Sequence, residues 1–341
     1  MKKLMTLALA AAFAATLAAC TDTDHGNITL PTPTEAATTE NVEATSTETA
    51  EPVTTETAES TAEVVNPTEE TKYAVLDFNE CAEEVLRLTP VHNNDNKLPD
   101  DADGETVLYY EGDLNDEGLS WFASDGERIY TVDRDANMQV YDSNGFLKRM
   151  QFDDKNITLK SYISDGKIYN LFRVFNTEDG SCEAKLKPAE NMKESYSSIS
   201  IIGNNGTPCF AEVDYETEQS GIGNFYIYSL DADNSWQKGE KLFTLTFNDD
   251  DTIVKFANGN SLNIPGNGSL VGIDGQGYYF FGSQSSVIKV SPDGNITASV
   301  TIPVSSDDLW YPAVDFNILP DGTVYVAATM NDAYVIWKIA M

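Results

Sequence analysis

Histidine is nearly absent from this chain. Among 341 residues only His25 and His92 carry an imidazole, and both precede the region where strand-like runs recur. A histidine-ligated metal or a serine–histidine catalytic pair is therefore excluded from that region. Cysteine is scarce as well, at positions 20, 81, 182 and 209, with no C-x-x-C pair among them. Cys81, Cys182 and Cys209 form an odd set. One bridge between Cys182 and Cys209 is conceivable, but buried thiols acting as small apolar side chains are the simpler reading. Positive charge is the third shortage. Lysine and arginine total 21 against 55 aspartates and glutamates, a formal net charge of -34. Such a surface repels nucleic acid and anionic membrane faces, and it favours a soluble monomer.

What recurs is a short turn phrase. It reads Ser124-Asp-Gly-Glu-Arg-Ile-Tyr130, then Ser164-Asp-Gly-Lys-Ile-Tyr169, Asn204-Asn-Gly-Thr207, Ile273-Asp-Gly-Gln-Gly-Tyr-Tyr279 and Pro320-Asp-Gly-Thr-Val-Tyr325. Asp-Gly or Asn-Gly between β-rich runs is the strongest short signal for a hairpin. Successive turns begin at 125, 165, 205, 274 and 321, so the unit repeats every 40 to 50 residues except across one longer interval. A repeat of that length built from short strands predicts an all-β fold, a single β-propeller of four-stranded blades. Five blades are countable, with six or seven left open. The long interval hides either an extra hairpin over Thr252–Ile264 or a degenerate blade. The pattern resembles bacterial propellers of the NHL and WD-like kind over about Glu105–Met341.

The first residues carry an address. Met1-Lys-Lys-Leu is positive, an Ala- and Leu-rich run follows, and Leu17-Ala-Ala-Cys20 closes it. A charged start, a short apolar core and small residues describe a secretory signal, too short to remain as a membrane span. The ending resembles the lipobox of bacterial lipoproteins. That resemblance implies cleavage before Cys20, lipid on its sulfur, and a protein held to the cell membrane or outer membrane and facing away from the cytoplasm. Residues 20–71 are Thr, Glu, Ala and Pro with few large apolar side chains. They cannot offset their own ordering entropy, so a disordered tether is expected. Residues 72–104 read as a lead-in, with a short helix over Glu80–Leu88 from the spacing of Ala82, Val85 and Leu86 and the stop at Pro90. Glu105–Tyr110 reads as a strand that completes the last blade from the N-terminal side and removes an open sheet edge. Residues 105–341 are the propeller.

In such blades the Asp-Gly turns share one end. The longer second–third loops and the connections between blades share the other. The latter include Asp133–Asn137, Asp153-Asp154, Asn176–Gly180 and Ser305–Pro312, which predicts an acidic face suited to recognition. Trp310 and Tyr311 beside Asp307 and Asp308 are candidate ligand contacts, because aromatic rings and carboxylates hold sugars by stacking and hydrogen bonding. Packing between blades is the competing reading. Asp133, Asp135 and Asn137 have the opening spacing of a calcium loop. Met138 and Asn144 depart from what an EF-hand requires at its sixth and twelfth places, and a solvated acidic turn is favoured.

Ser229-Leu-Asp-Ala-Asp-Asn-Ser-Trp236 resembles the Asp box of sialidases, with Asp233 in place of its glycine and Ser235 in place of its threonine. The resemblance implies a structural role, an aspartate capping backbone amides. The five arginines from residue 72 onward, Arg87, Arg128, Arg134, Arg149 and Arg173, form no recognisable triad. The expected function is non-enzymatic binding or scaffolding toward a protein, glycan or cell-wall ligand, with no cofactor other than the calcium alternative. A polysaccharide hydrolase or lyase using carboxylates of the acidic face is the second reading.

Overall fold

The computed structural model describes residues 73–92, 106–109, 119–133, 135–158, 160–189, 200–215, 221–247, 251–265, 268–283, 285–303, 314–330 and 333–341. All lie within one compact unit beginning at Lys72. The leader, Cys20 and the tether fall outside these residues, as do Asp307, Asp308, Trp310 and Tyr311.

The described chain is almost wholly strand. It begins with β1 (Ala74–Leu76), the one-turn helix α1 (Phe78–Cys81), β2 (Ala82–His92) and β3 (Thr106–Tyr109). Five antiparallel meanders follow. Meander I is β4 (Leu119–Ser124), β5 (Ile129–Asp133), β6 (Asn137–Asp142) and β7 (Gly145–Gln151). Meander II is β8 (Tyr162–Ser164), β9 (Lys167–Tyr169), β10 (Arg173–Asn176) and β11 (Cys182–Lys185). Meander III is β12 (Ser200–Asn204), β13 (Thr207–Tyr215), β14 (Ile222–Leu230) and β15 (Trp236–Phe247), extended by β16 (Asp251–Phe256) and β17 (Ser261–Pro265). Meander IV is β18 (Ser269–Ile273), β19 (Tyr279–Gly282), β20 (Ser286–Val290) and β21 (Ile296–Thr301). Meander V is β22 (Val314–Ile318), β23 (Val324–Met330) and β24 (Ala333–Ile339). The long interval between turns thus holds an extra hairpin, β16–β17, bonded to the edge of β15.

The turns form for the reason the phrase suggests. In meanders II and III both turn residues have positive φ, Asp165 at 50° with Gly166 at 69°, and Asn205 at 49° with Gly206 at 75°. That is the primed geometry matching the strand twist, and only Gly, Asn and Asp enter it readily.

Meander V has only three strands of its own, and β2 supplies the fourth. Leu86 pairs with Ile336 and Leu88 with Tyr334, antiparallel, and β3 then adds a parallel fifth strand along Thr89–His92. Two expectations change here. The helix expected over Glu80–Leu88 is confined to Phe78–Cys81, and the remainder is strand. The strand that completes the last meander is β2, with Glu105–Tyr110 contributing its neighbour instead. The physical reason is the edge of β24. Its unpaired backbone groups recruit Ala82–Leu88, whose helical spacing is short and weak, and tertiary pairing overrides local propensity. At the other rim β1 lies parallel on β21 of meander IV.

Alternation along each strand sends side chains to two sides, and every side meets the next meander. Trp121, Tyr130 and Val132 of meander I pack with Ile163, Ile168 and Phe175 of II. Tyr162 and Val174 of II pack with Phe210, Tyr228 and Trp236 of III. Phe225, Phe243 and Phe256 of III pack with Phe281, Ile288 and Val290 of IV. Phe280 and Val300 of IV pack with Val326, Val335 and Trp337 of V. Phe122 of I then packs with Tyr325, Ala327 and Ile336 of V. The packing runs through the meanders in order and returns to the first, a propeller-like arrangement. The side chains of Cys81, Cys182 and Cys209 are all free thiols, with Cys182 exposed and Cys209 buried. The bridge between the last two is not formed.

Candidate functional site

The first strands of the meanders, β4, β8, β12, β18 and β22, lie innermost and neighbour one another. Their Asp-Gly turns converge at one end. The Gly275 amide donates to the Pro320 carbonyl at 2.7 Å, and the Asn205 amide donates to Ile273 at 3.0 Å. The Ser164 hydroxyl donates to the Gly206 carbonyl at 2.8 Å. A Cβ on Gly206 would lie 2.9 Å from Pro320. Turn backbone and the Pro320 ring therefore fill the centre of that end.

The opposite end is where the long loops belong. At its centre Lys160, just before β8, forms an ion pair with Asp315 at the start of β22. The lysine also donates to the Phe316 carbonyl at 3.4 Å. Meanders II and V flank meander I, so this pair reaches across the innermost strands. Both side chains are about one-third exposed, at 32% and 35%.

Asp133 ends β5 at the same end, and its carboxyl is buried. Oδ1 accepts the amides of Asp135 and Asn137, each at 2.9 Å, and Oδ2 accepts the Asn137 side-chain amide at 2.8 Å. Ala136, fully buried, completes the loop with φ 65°. Burial pushes the Asp133 carboxyl above its usual range, opposed by the Asn137 and Asp135 amides. The sequence spacing thus brings Asp133, Asp135 and Asn137 together as a self-capped loop in which amide hydrogens converge on the carboxylate. Among the described residues no group of three His, Cys, Asp or Glu stands close enough to hold a metal ion.

Asp154, on the connection to meander II, behaves similarly. It accepts the Asn156 amide at 3.0 Å and the Arg173 Nε at 3.2 Å. Burial pushes its carboxyl up, but the Asn156 amides and Arg173 outweigh this and hold it below the ordinary value. Asn176–Gly180 does not belong to this end. It joins the third and fourth strands of meander II, and Thr177 bonds to the Gly166 carbonyl beside the Asp-Gly turn. There Glu178 pairs with both Arg128 (2.8 Å) and Lys148 (2.9 Å) of meander I. Strands β8 to β10 are so short that the chain completes its third strand by Asn176, which returns this loop to the Asp-Gly end.

The Asp-box-like turn does what its resemblance implied. Asp231 accepts the amides of Asp233 at 2.8 Å and Ser235 at 2.9 Å, with the left-handed residue at Asn234. Trp236 is buried and donates from its indole to Leu171 of meander II at 2.9 Å.

One polar cluster was missed by sequence reasoning. Buried Tyr228 donates its phenol to buried Glu212 on the adjacent strand. Lys238 sits 3.7 Å from the centre of the Tyr226 ring and 3.8 Å from Asp214. The signal available was period-two alternation, which places Phe210, Glu212 and Asp214 on one side of β13, facing meander II.

No family model matches the chain, and no curated protein matches it. Solved structures align with it at 10% identity, each with a TM-score below 0.5. BamB from Moraxella catarrhalis aligns with TM-score 0.30 over 63% of this chain and 81% of its own. A gluconolactonase from Xanthomonas campestris aligns with TM-score 0.37 over 62% and 82%. The calcium-binding protein regucalcin from Agrobacterium tumefaciens aligns with TM-score 0.39 over 79% and 96%.

Proposed function

We propose that the chain is an extracytoplasmic lipoprotein, anchored through lipid on Cys20, that presents a five-bladed β-propeller as a non-enzymatic binding or scaffolding module. The five meanders are the blades, and β2 is the clasp that closes the ring. The ligand is a protein, a glycan or a cell-wall component. The proposed contacts are Asp133 and Asp135 at the long-loop end and, by their place in the sequence before β22, Asp307, Asp308, Trp310 and Tyr311.

The observation that carries this reading is the ion pair of Lys160 with Asp315 at the centre of that end. It links meander II to meander V at the end where β8 and β22 begin. The described carboxylates there support binding over catalysis. A glycoside hydrolase needs two carboxyl groups about 5–10 Å apart that are free to exchange protons or attack. Asp133 and Asp154 spend their oxygens on loop amides and Arg173. Calcium bound in the Asp133–Asn137 loop would require those amide hydrogens to turn away.

Two experiments test the reading. Metabolic labelling with palmitate should mark the wild-type protein, and Cys20→Ser should abolish both the label and membrane retention. Pull-downs against glycans and cell-wall fragments should weaken with Trp310→Ala and Tyr311→Ala. Unchanged capture by both variants would remove the proposed contacts.

A further inference from the structure

We infer that the ring has one preferred line of opening, the seam between meanders I and V. The inference rests on the closed-ring reading above. Each of the other four seams is filled by one continuous apolar cluster. Among the described residues the I–V seam is filled by two small ones, Phe122 with Leu319, Tyr325, Ala327 and Ile336, and Leu88 with Leu119, Tyr141 and Tyr334.

Register explains the division. Phe122 pairs with Thr131, Thr131 with Gln139, and Gln139 with Arg149, so these four form one row across meander I. Their strand neighbours Tyr130, Val132, Met138 and Val140 face meander II. The row therefore faces V. It places Thr131 and Gln139, 1% and 2% exposed, in the I–V seam beside Phe122. Ser124, whose amide bonds to the Asn317 side chain at 3.0 Å, adds a further buried polar contact on the same side. The Thr131 hydroxyl is buried without a hydrogen-bond partner.

Apolar burial is the cohesive force between packed sheets, and a seam with less of it separates at lower free energy. Polar groups along the seam lower the cost further, because water satisfies them on opening. Separation at I–V exposes Thr131 and Gln139 along with two small apolar clusters, whereas separation at IV–V would expose one larger cluster that includes Phe280, Val326 and Trp337.

The molecule contains its own control. Ala327 and Ala328 are consecutive and buried on β23, but Ala327 faces meander I and Ala328 faces meander IV. In the full-length lipoprotein in detergent, Ala327→Cys and Ala328→Cys would be treated with a maleimide under native conditions, and labelling rates read by peptide mass spectrometry. Ala327→Cys should react at least about tenfold faster, as expected for a lower local opening free energy. Thr131→Val added to it should slow that rate selectively. Equal rates, or faster reaction at Ala328→Cys, would overturn the inference. If either alanine variant fails to fold, Ile336→Cys and Val335→Cys on β24 repeat the comparison across the same two seams. Loss of palmitate labelling on Cys20→Ser bears on anchoring and leaves this outcome untouched.

Discussion

The amide of Gly275 donates to the carbonyl of Pro320 at 2.7 Å, joining the Asp-Gly turns of two successive meanders at the centre of the molecule. A repeated local signal has here become a tertiary contact. Each turn was selected for a hairpin, and the convergence of several closes one end of the innermost strands.

Gly275 is tightly enclosed. A Cβ there would lie 2.8 Å from both Asn205 Oδ1 and the Pro320 carbonyl oxygen. Gly275→Ala should destabilise the domain by about 1–3 kcal/mol, since backbone must move to relieve overpacking. Gly259→Ala meets no atom within 4 Å but has φ +92°, so its cost should be nearer 1 kcal/mol. Denaturant midpoints of the two variants check the order.

The Asp133 carboxylate satisfies two backbone amides and one side-chain amide of its loop. Asp133→Ala should lower stability by about 2–4 kcal/mol, because buried donors are left without partners. Asp135→Ala should have little effect. Thermal melts of both variants, with and without added calcium, separate a structural cap from a cation ligand.

Tyr228 is the described donor to the buried carboxyl of Glu212. Tyr228→Phe should cost about 1–3 kcal/mol, the usual penalty for leaving a buried acceptor unsatisfied. In a Glu212→Leu background the same change should cost far less. A double-mutant cycle with a coupling near zero would refute the pairing.

Burial pushes the Tyr162 phenol up to about 12, and it also raises Tyr130 and Tyr228. A folded-state value above the unfolded one gives stability that is complete below pH about 10 and is lost as pH rises toward the folded value. The domain should therefore unfold cooperatively in strong alkali, with tyrosinate absorbance appearing together with loss of strand signal. Gradual titration of these tyrosines before unfolding would contradict their burial.

Leu88 on β2 is fully buried against Leu119, Tyr141 and Tyr334. Leu88→Ala should cost about 2–5 kcal/mol, the range for a large core truncation. Its exposed neighbour Arg87, paired with Glu84 at 2.7 Å, should cost less than about 1 kcal/mol when changed to alanine. Comparable losses from both would mean that β2 does not close the last meander.

Local chemistry determined much of this protein from its sequence alone. The Asp-Gly and Asn-Gly phrases marked hairpins because few other residues accept positive φ. Their near-regular spacing gave the repeated all-β unit, and the poverty of histidine removed whole classes of site. The extra hairpin over Thr252–Ile264 was one of two readings the long interval allowed, and the pairing of β16 with β17 decides between them. Tertiary structure decided the rest. Ala82–Leu88 carries a helical spacing, yet the open edge of β24, some 250 residues later in the chain, claims it as a strand. Asp133 and Asp135 looked alike as acidic loop residues, but only the fold buries one and turns its oxygens onto amides. The pairing of Lys160 with Asp315 has no local signature at all. Short-range preference fixes the conformation of a few residues, whereas partners of strand edges and buried charges are fixed by which distant groups remain unsatisfied when the sheets pack.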